Sequence, residues 1–423
     1  MTEKTYLRVK GGSPLCGTYN VHGAKNAVLP MLAASVMTED EVTVTDCPYI
    51  SDVDDMTEVL RALGVAVSRR GRDVTVSGKP TLTEIPPHLA CAMRSSVFML
   101  GALLAETGEV RLFTPGGCRI GARPLDIHFD GFRRLGACVE YGEDYVLCRA
   151  EKLTGADVIL KYPSVGATEN LIMAAVKAEG RTRLIGAARE PEIVSLVRLL
   201  VKMGADIAGE GTPVITVNGV RELEGAVCAP VADRIVTGTV MAAVAVAGGR
   251  VELNGADASC LGAVISPFLS SHTYLVEHGG VLVFESDRVL AATDVVTGPY
   301  PLFPTDMQAP FMACQCYASG MSSMRETVFE DRFAHVAELR KMGADIALAG
   351  NTAFVDGSRG MKGAVMHAAD LRGGAGLLVA ALGAEGESFI DGLRYLDRGY
   401  ENIERIMSNL GGKVVRESGS LPE

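Results

Sequence analysis

The chain has 423 residues, which is long for one hydrophobic core and predicts two domains of ordinary size. Apolar residues make up 48% and charged residues 22% of it, a composition that excludes a disordered protein. The net charge of -11 argues against general binding of nucleic acid or anionic membranes, so an anionic ligand must be held by a local group of basic residues.

Several kinds of protein are disfavoured by what the sequence lacks. No apolar stretch reaches the ~18 residues that a membrane-spanning helix needs, and residues 1–13 do not have the pattern of a signal peptide. The ten cysteines are scattered without a CxxC pair, which favours a reducing cytoplasmic location over a disulfide framework or a zinc site. The common metalloprotease, nucleotide-binding and serine-hydrolase motifs are also missing.

From the N-terminus onward, the chain repeats one predicted unit six times. Each unit consists of a buried helix, a strand, a surface helix and two further strands. The run of residues 97–104 is apolar on every side, as expected for a helix inside a core. The buried helices are predicted near residues 25–37, 95–108, 164–180, 233–249, 305–320 and 371–386.

Each surface helix is predicted to end at a residue followed by a left-handed glycine. The first such helix begins with the capping candidates Ser51 and Asp52 and places Met56, Leu60 and Leu63 on one face. Alternating valines after it predict a β-hairpin. The terminating pairs are Leu63-Gly64, Leu135-Gly136, Met203-Gly204, His278-Gly279, Met342-Gly343 and Leu410-Gly411, of which the fourth departs most from the pattern.

The predicted buried helices open with polar or charged side chains. Helix N-termini present unpaired N–H groups and partial positive charge, so they bind anions readily. The openings are Lys25-Asn26, Arg94-Ser95, Ser164, Asp233-Arg234, Asp306 and Arg372, with Arg123 and Arg398 in nearby loops. Any one of these residues is more often a solvated cap, but six recurrences at matching positions favour a pocket for a small, multiply charged anion.

Eight short motifs stand in order along the chain. They are Gly23-Ala24-Lys25-Asn26, Met93-Arg94, residues 115–124 (PGGCRIGARP), Ser164-Val165-Gly166-Ala167-Thr168, Arg189-Glu190-Pro191-Glu192, residues 303–308 (FPTDMQ), Asp370-Leu371-Arg372 and Asp397-Arg398-Gly399-Tyr400. Together they resemble the UDP-N-acetylglucosamine enolpyruvyl transferases, members of the enolpyruvate transferase family. The resemblance covers about residues 6–416.

The resemblance implies a fold that agrees with the repeats. Members of this family have two inside-out α/β domains, each built of three βαβαββ-type units with buried helices, and the site lies between the domains. By this resemblance one domain is residues 25–231, and the other combines residues 1–24 with residues 232–423.

The resemblance also implies a reaction. The family transfers the enolpyruvyl group of phosphoenolpyruvate to the 3'-hydroxyl of UDP-N-acetylglucosamine with release of phosphate, the first committed step of peptidoglycan synthesis. Cys118 matches the thiol that protonates the methylene carbon and reacts with the epoxide antibiotic fosfomycin; nearby cations and glycines suit a reactive thiol on a mobile loop. Asp306 matches the carboxylate that removes the hydroxyl proton. Asp370 is a second candidate base, or a residue that only orients Arg372.

Basic residues are expected around phosphoenolpyruvate, and Lys25 and Arg398 are also expected to act in catalysis. The expected phosphoenolpyruvate-binding residues are Lys25, Asn26, Arg94, Arg123, Arg372 and Arg398. Glu190 and Asp233 match acidic residues near these cations.

The nucleotide sugar is expected to contact two helix starts and one loop. The expected residues are Arg94, Arg123, Pro124, Leu125, Asp126, Ile127, Ser164, Val165, Gly166, Asp306, Val328 and Phe329. His128 either contacts the diphosphate or is an ordinary loop histidine, and Phe329 as a core residue is equally compatible with the sequence.

Two positions depart from the family pattern. Tyr162 stands where many members carry lysine, so a basic contact to the nucleotide is shifted to Lys161 or lost. Gly373 and Gly374 stand where alanine and serine are common, which would loosen that helix start.

Two other functions are compatible with parts of this pattern. The enzyme that makes enolpyruvyl-shikimate-phosphate shares the architecture, but it lacks the equivalent of Cys118 and typically has Ser-Lys-Ser where Gly-Ala-Lys-Asn stands here. A paralogue that binds the sugar nucleotide without turnover is the other alternative. We expect small-molecule substrates, no metal ion and no organic cofactor.

Overall fold

A computed structural model describes residues 4–92, 97–113 and 125–422 of the chain. The chain divides into two compact units, which we call the inserted unit (Gly23–Val231) and the flanking unit (Met1–His22 with Ala232–Glu423). The first predicted boundary lies two residues later, between residues 24 and 25, and the second coincides with the observed one. Strands β1 (Lys4–Lys10) and β2 (Leu15–Asn20) belong to the flanking unit and precede the inserted unit.

The inserted unit alternates helices and strands. Its helices are α1 (Lys25–Ala34), α2 (Ser51–Ala62), α3 (Pro87–Ala92), α4 (Met99–Thr107), α5 (Asp126–Arg134), α6 (Val165–Val176) and α7 (Pro191–Lys202). Its strands are β3 (Val42–Val44), β4 (Ala66–Arg70), β5 (Asp73–Ser77), β6 (Glu109–Phe113), β7 (Cys138–Tyr141), β8 (Tyr145–Arg149), β9 (Asp157–Ile159), β10 (Arg181–Ile185), β11 (Asp206–Ala208), β12 (Val214–Asn218) and β13 (Ala226–Cys228).

Sheets surround a helical core in the inserted unit. Within its described residues the sheets have the strand orders β13-β3-β5-β4, β6-β8-β7 and β11-β12-β10-β9. Parallel strands β9 and β10 are joined by α6, whereas β11 and β12 pair as an antiparallel hairpin. Helices α1, α4 and α6 are apolar on most sides and contribute much of the core. Because α4 and α6 have no polar face, burial is the arrangement that removes their apolar surface from water.

The flanking unit has the same plan. Its helices are α8 (Arg234–Ala247), α9 (Gly262–Ile265), α10 (Gln308–Gln315), α11 (Val336–Lys341), α12 (Leu371–Gly383) and α13 (Ile403–Asn409). Its remaining strands are β14 (Gly249–Asn254), β15 (Thr273–His278), β16 (Val281–Ser286), β17 (Leu290–Ala291), β18 (Val295–Val296), β19 (Ala318–Ser319), β20 (Met321–Arg325), β21 (Asp345–Ala349), β22 (Thr352–Asp356), β23 (Val365–His367), β24 (Glu387–Asp391) and β25 (Lys413–Gly419).

Chain segments far apart in sequence complete the sheets of the flanking unit. Strand β1 lies between β24 and β25, with Leu7 opposite Ile390 on one side and Arg416 on the other. Strand β2 pairs in parallel with β14. Within the described residues, the four-stranded sheets have the orders β23-β24-β1-β25, β15-β16-β14-β2 and β18-β20-β22-β21, and β17 pairs with β19. Helices α8, α10 and α12 form the buried centre.

The predicted fold class is confirmed: two α/β units each bury three helices behind sheets, with the repeated order that the sequence predicts. A helix is found at each of the six predicted buried positions. The described surface helices α2, α5, α7, α11 and α13 are followed by glycines with φ between 92° and 102°.

Two local predictions were wrong. His278-Gly279 does not end a helix, because Thr273–His278 alternates like a strand and a Gly279-Gly280 turn with φ of 59° and 77° joins it to β16. The helical segment before this strand is the short α9, followed directly by a 3-10 helix (Ser266–Ser270). Ser51 and Asp52 do not cap α2 through their side chains, because Ile50 occupies the N-cap position. Asp52 lies in the first turn, where its negative charge interacts favourably with the positive end of the helix dipole.

Candidate active site

The described residues hold only part of the predicted site. Cys118, Arg94, Arg123 and Pro124 lie outside the residues that the structure describes, so their roles stay predictions. The other predicted site residues fall into one group in the flanking unit and two groups in the inserted unit.

Asp306 is held by two arginines in the flanking unit. It lies in a short 3-10 helix (Thr305–Met307) that leads directly into α10. Arg332 Nη2 donates to Asp306 Oδ1 at 2.8 Å, and Arg372 Nη2 donates to Oδ2 at 2.9 Å. Because each carboxylate oxygen has its own guanidinium donor, the orientation of the Asp306 side chain is fixed while it keeps 26% of its surface exposed.

The Arg372 side chain joins three helix starts. It is only 3% exposed, and its guanidinium lies 5.3 Å from the centre of the Tyr400 ring. Burial alone would lower the pKa of this guanidinium, but the negative charges of Asp306 and Asp233 and the hydrogen bond to Asp306 outweigh burial and raise it. The negative charges at the starts of α8 (Asp233) and α10 (Asp306) therefore lie near the positive charge of Arg372 at the start of α12.

Two aspartates in this group are helix caps. Asp233 Oδ1 accepts from Ile235 N at 2.8 Å and from Val236 N at 2.9 Å at the start of α8. Asp370 Oδ1 accepts from Arg372 N at 3.0 Å and from the next amide at 2.9 Å. These contacts fit the second of the two roles considered for Asp370, a residue that fixes the backbone around Arg372 rather than a base.

Arg398 lies against the same end of α12. Its short 3-10 helix (Leu396–Arg398) packs on the first turns of α12, where a Cβ added to Gly374 would lie 2.3 Å from Leu396 Cδ1. The neighbouring Asp397 is held by Arg416, whose Nη1 and Nη2 atoms donate to the two carboxylate oxygens at 3.0 and 2.6 Å. The structure therefore places Arg398 beside the helix start that carries Arg372.

Val328 and Phe329 follow a buried glutamate that the sequence analysis missed. Glu326 is 2% exposed, and its Oε1 atom accepts from Val328 N at 2.8 Å and Phe329 N at 3.1 Å. The Arg332 guanidinium lies 5.1 Å from the centre of the Phe329 ring. Phe329 is half-buried rather than a core residue, and it lies next to an arginine that binds Asp306.

Lys25 begins α1 in the inserted unit. Its Nζ atom lies 3.2 Å from Asp52 Oδ2, and Asp52 is 2% exposed. Asn26, the next residue, is half-buried in the first turn of α1. The Asp52 carboxylate therefore orients the Lys25 ammonium group at the N-terminus of a buried helix.

The two predicted nucleotide-binding segments lie at adjacent helix starts. Leu125 is the N-cap of α5, with Asp126 and Ile127 in its first turn. Ser164 is the N-cap of α6, and its Oγ atom accepts from Ala167 N at 3.4 Å. His128 connects the segments, because a Cβ added to Gly166 would lie 3.4 Å from His128 Nε2.

His128 is buried, which limits its proposed contact with a diphosphate. Its side chain is 6% exposed, and burial lowers its pKa to about 4. Among the described residues, neither ring nitrogen has a hydrogen-bond partner that meets normal geometry. At neutral pH the ring is therefore uncharged, so it offers a hydrogen bond rather than a positive charge.

A second buried acid was also missed by sequence analysis. Glu169 in α6 is fully buried, and burial, followed by the charges of Glu192 and Glu190, raises its pKa well above the ordinary value. Glu190 is the N-cap residue of α7. The hydrophobic pattern of α6 gave no sign of Glu169, because a single acid inside an apolar helix resembles an exposed position.

The two departures from the family pattern have different structural settings. Lys161 is 78% exposed and lies 3.7 Å from Asp130 Oδ2, and Tyr162 is also exposed. Gly374 is required by close packing against Leu396, and a Cβ on Gly373 would lie 2.6 Å from Asp370 Oδ2. The start of α12 is therefore tightly packed rather than loosened by its glycines.

Solved structures with the same architecture define the fold as that of the enolpyruvyl transferases. The enolpyruvyl transferase NikO from Streptomyces tendae matches 99% of this chain and 100% of its own, with a TM-score of 0.89 and 22% identity. EPSP synthase from Acinetobacter baumannii matches 98% of this chain and 100% of its own, with a TM-score of 0.74 and 17% identity. The family profile named EPSP synthase (3-phosphoshikimate 1-carboxyvinyltransferase) matches residues 9–407.

Curated relatives define the family more narrowly. Proteins named UDP-N-acetylglucosamine 1-carboxyvinyltransferase from Nitratidesulfovibrio vulgaris and Granulibacter bethesdensis are 44% and 42% identical to this chain, over 97% and 98% of it and 99% of each relative. UDP-N-acetylglucosamine 1-carboxyvinyltransferase 1 from Caldanaerobacter subterraneus is 43% identical over 98% of the chain and 100% of that relative. The chain belongs to the UDP-N-acetylglucosamine 1-carboxyvinyltransferase family of enolpyruvyl transferases, and the prediction of an enolpyruvyl transferase is confirmed.

The described residues contain neither a membrane-spanning helix nor a cluster of metal-binding side chains. No helix there is long and apolar enough to span a bilayer. Nor do the described ranges place three or more His, Cys, Asp or Glu side chains where they could hold a metal ion.

Proposed function

We propose that the enzyme transfers the enolpyruvyl group of phosphoenolpyruvate to the 3'-hydroxyl of UDP-N-acetylglucosamine and releases phosphate, in the first committed step of peptidoglycan synthesis. The observation that carries the proposal is identity of 42–44% over nearly the whole chain to relatives named for this transfer. The arrangement of Asp306 and its arginines supports it, because the reaction needs both a base and cations.

Phosphoenolpyruvate carries a phosphate and a carboxylate, and in this proposal basic side chains bind both groups. Lys25, Arg372 and Arg398 are proposed to bind the donor, and Asn26 assists. Lys25 is already oriented by Asp52, and Arg398 and Arg372 lie at one end of α12. Arg94 and Arg123 complete the proposed set. As phosphate leaves, these cations stabilise the negative charge that develops on its oxygens.

Two proton transfers drive the proposed addition. Cys118 gives its proton to the methylene carbon of phosphoenolpyruvate, while the 3'-oxygen of the sugar bonds to the neighbouring carbon and Asp306 accepts the hydroxyl proton. In the second step the new methyl group returns a proton to the Cys118 thiolate and the C–C double bond re-forms. The C–O bond to phosphate breaks, and the proton held by Asp306 passes to the leaving phosphate. The number of protons and the total charge are thus conserved across the two steps.

The sugar nucleotide is proposed to bind at the adjacent helix starts of the inserted unit. Apolar and backbone groups of Leu125, Asp126 and Ile127 contact the uracil and ribose, together with Pro124, while Ser164, Val165 and Gly166 hold the diphosphate. The backbone N–H groups at the starts of α5 and α6 favour an anion. Val328 and Phe329 are proposed to close over the sugar and base.

Measurement of phosphate release with a panel of acceptors tests this proposal. We expect release that requires both phosphoenolpyruvate and UDP-N-acetylglucosamine, and none when shikimate 3-phosphate replaces the nucleotide. The shikimate alternative rests on the name of the matching family profile and on the fold shared with EPSP synthase at 17% identity. Release with shikimate 3-phosphate would establish that alternative, and tight binding of the nucleotide without release would establish a non-catalytic regulator.

A further inference from the structure

We propose that Glu326 is a positioning residue that connects the Val328 and Phe329 loop to the helix start carrying Asp306. This inference rests on the proposed function, in which the loop contacts the sugar nucleotide and Asp306 removes its hydroxyl proton. The consequence is that acceptor binding and alignment of the base depend on one buried carboxylate.

One oxygen of Glu326 holds the loop. Its Oε1 atom accepts from Val328 N at 2.8 Å, from Phe329 N at 3.1 Å and from Thr297 Oγ1 at 2.9 Å. Three donors on one oxygen leave this half of the carboxylate little freedom to move. The backbone conformation of the loop is therefore determined by the side chain that precedes it.

The other oxygen holds the segment that carries the base. Thr305 Oγ1 donates to Glu326 Oε2 at 2.9 Å, and Thr305 is bonded in sequence to Asp306 within the same short 3-10 helix. A shift of the loop that moves the Glu326 carboxylate would therefore pull on the backbone next to Asp306. The two segments of the flanking unit that are proposed to act on the acceptor therefore share one buried carboxylate.

The surroundings fix Glu326 itself. Its backbone N–H donates to Asn351 O at 2.8 Å, and Asn351 Nδ2 donates to Glu326 O at 2.9 Å. Thr297 is 1% exposed, and its Oγ1 atom accepts from Thr327 N at 2.9 Å. A carboxylate buried to this extent is stable only when its oxygens are hydrogen-bonded, and the four neutral donors meet that need.

A second connection runs parallel to the first. Arg332 donates to Asp306 and lies over the Phe329 ring, so it links the same loop to the same base through side chains. Glu326 differs from Arg332 because it binds backbone N–H groups of the loop and the hydroxyl group of Thr305, rather than the Phe329 ring and the Asp306 carboxylate. Only a carboxylate matches the donors, since a glutamine in its place presents one acceptor oxygen and one donor nitrogen.

Variants of similar shape test the two connections of Glu326 separately, the one to the Asp306 segment and the one to the loop. Thr305→Val removes the donor beside Asp306, and we expect kcat to fall ten- to a hundredfold while the Kd for UDP-N-acetylglucosamine stays within twofold, since a hydrogen bond to a charged group is involved. Thr297→Val loosens the loop, and we expect the KM for the nucleotide to rise about tenfold with kcat within threefold. Glu326→Gln is expected to change both constants.

Controls distinguish positioning from a general loss of structure. Thr305→Ser restores the hydroxyl and is expected to recover most of kcat, and Ser323→Ala, on the exposed face of the neighbouring strand, is expected to change nothing. Thermal unfolding is recorded for each variant. If Glu326→Gln does not fold, the Thr305→Val and Thr297→Val variants still test the role of Glu326.

The outcomes separate this inference from the proposed function. Variants with unchanged kcat and KM in an active, folded enzyme would overturn the role of Glu326 and leave the function intact. Equal losses in Thr305→Val and Thr305→Ser would also overturn it. A wild-type enzyme with no turnover would refute the proposed function, and this inference with it.

Discussion

At the residue scale, the central feature is the carboxylate of Asp306 between two guanidinium groups. The pairing fixes its orientation, and the side chain keeps about a quarter of its surface exposed, as the proposed contact with a substrate hydroxyl requires. A base in this position contributes through geometry as much as through proton affinity, because proton transfer requires hydrogen-bonding distance.

Replacement of Asp306 by alanine is expected to retain nucleotide binding but lower kcat by roughly 100- to 10,000-fold, the range for loss of a general base. Isothermal titration with UDP-N-acetylglucosamine and a phosphate-release assay measure the two quantities. Asp345→Asn is the matched control. It breaks an ion pair with Arg359, whose side chain is largely exposed. Near-normal turnover of the alanine variant would remove Asp306 as the base.

Replacement of Cys118 by serine is expected to abolish turnover and fosfomycin labelling together. Among the described thiols, burial raises the pKa of Cys47, Cys148 and Cys316 to about 12, so these remain protonated and unreactive at neutral pH. Cys16→Ser removes an exposed thiol and should leave labelling unchanged. Peptide mapping that finds the label on another cysteine would contradict the assignment.

Two buried histidines predict a pH dependence of stability. Burial lowers the pKa of His128 and His335 to about 4; for His335, Asp370 opposes this shift and Arg332 adds to it. A depressed folded-state pKa means that the unfolded chain takes up protons first. Stability is therefore fully present above pH 6.5 and falls by about 1.4 kcal/mol per pH unit per histidine as the pH drops toward 4.

Chemical denaturation between pH 7 and pH 4 tests this expectation. His335→Gln should reduce the slope of unfolding free energy against pH, whereas His278→Gln, at an exposed strand end, should not. An equal slope in all three proteins would show that the acid sensitivity comes from other groups.

The sequence motifs identified the candidate catalytic residues better than the residues that position them. Asp306 and Arg372 stand in motifs, and the structure brings them together. Glu326 and Arg332 carry no motif of their own, and their importance follows from contacts between segments that are distant in sequence. Asp370 illustrates the limit, because a carboxylate that caps a helix and one that acts as a base look alike in a sequence.

At the element scale, close helix contacts depend on glycines. Gly101 lies where α4 crosses α6, and its N–H donates to Asn170 Oδ1 at 2.7 Å. A Cβ at this position would lie 2.1 Å from the Asn170 carbonyl oxygen, which is backbone and has little room to move. The two buried helices therefore approach as closely as they do because one side chain is absent.

Gly101→Ala is expected to destabilise the protein by about 2 kcal/mol or more, because the helices must separate to accept the methyl group. Gly262→Ala is the control, since an added Cβ there meets no atom within 4 Å and should be neutral or slightly stabilising. Denaturant midpoints measure both effects. Equal midpoints for the two variants would show that the α4–α6 contact is more adjustable than the distances indicate.

Helix periodicity and left-handed glycines predicted most elements, and the failures have local causes. The His278-Gly279 pair matches the terminating pattern only in its glycine, and the preceding residues alternate as a strand. The start of α2 was misassigned because serine and aspartate are common both as caps and in the first turn. Neither error altered the predicted fold, since the surrounding repeats determine the order of the units.

At the scale of the whole molecule, the repeats made the architecture predictable. Six similar segments in two sets of three imply two similar units, and the chain crosses between them near His22 and again near Val231. Which helix starts meet was not predictable from spacing alone, because Asp233, Asp306 and Arg372 are brought together by the packing of α8, α10 and α12.

Activity is expected to be independent of metal ions. The proposed chemistry uses a thiol, a carboxylate and basic side chains, and the expectation of no metal or organic cofactor comes from the family resemblance. Dialysis against a chelator should leave the rate of phosphate release unchanged. A loss of activity that added Mg²⁺ or Zn²⁺ restores would contradict this expectation.

Mass spectrometry after incubation with phosphoenolpyruvate and UDP-N-acetylglucosamine tests the central claim most directly. We predict an enolpyruvyl derivative of the nucleotide sugar, matched by released phosphate, and a mass increase confined to the peptide that contains Cys118 when phosphoenolpyruvate is bound. Absence of the product, with both substrates unchanged and the thiol unmodified, would contradict the claim.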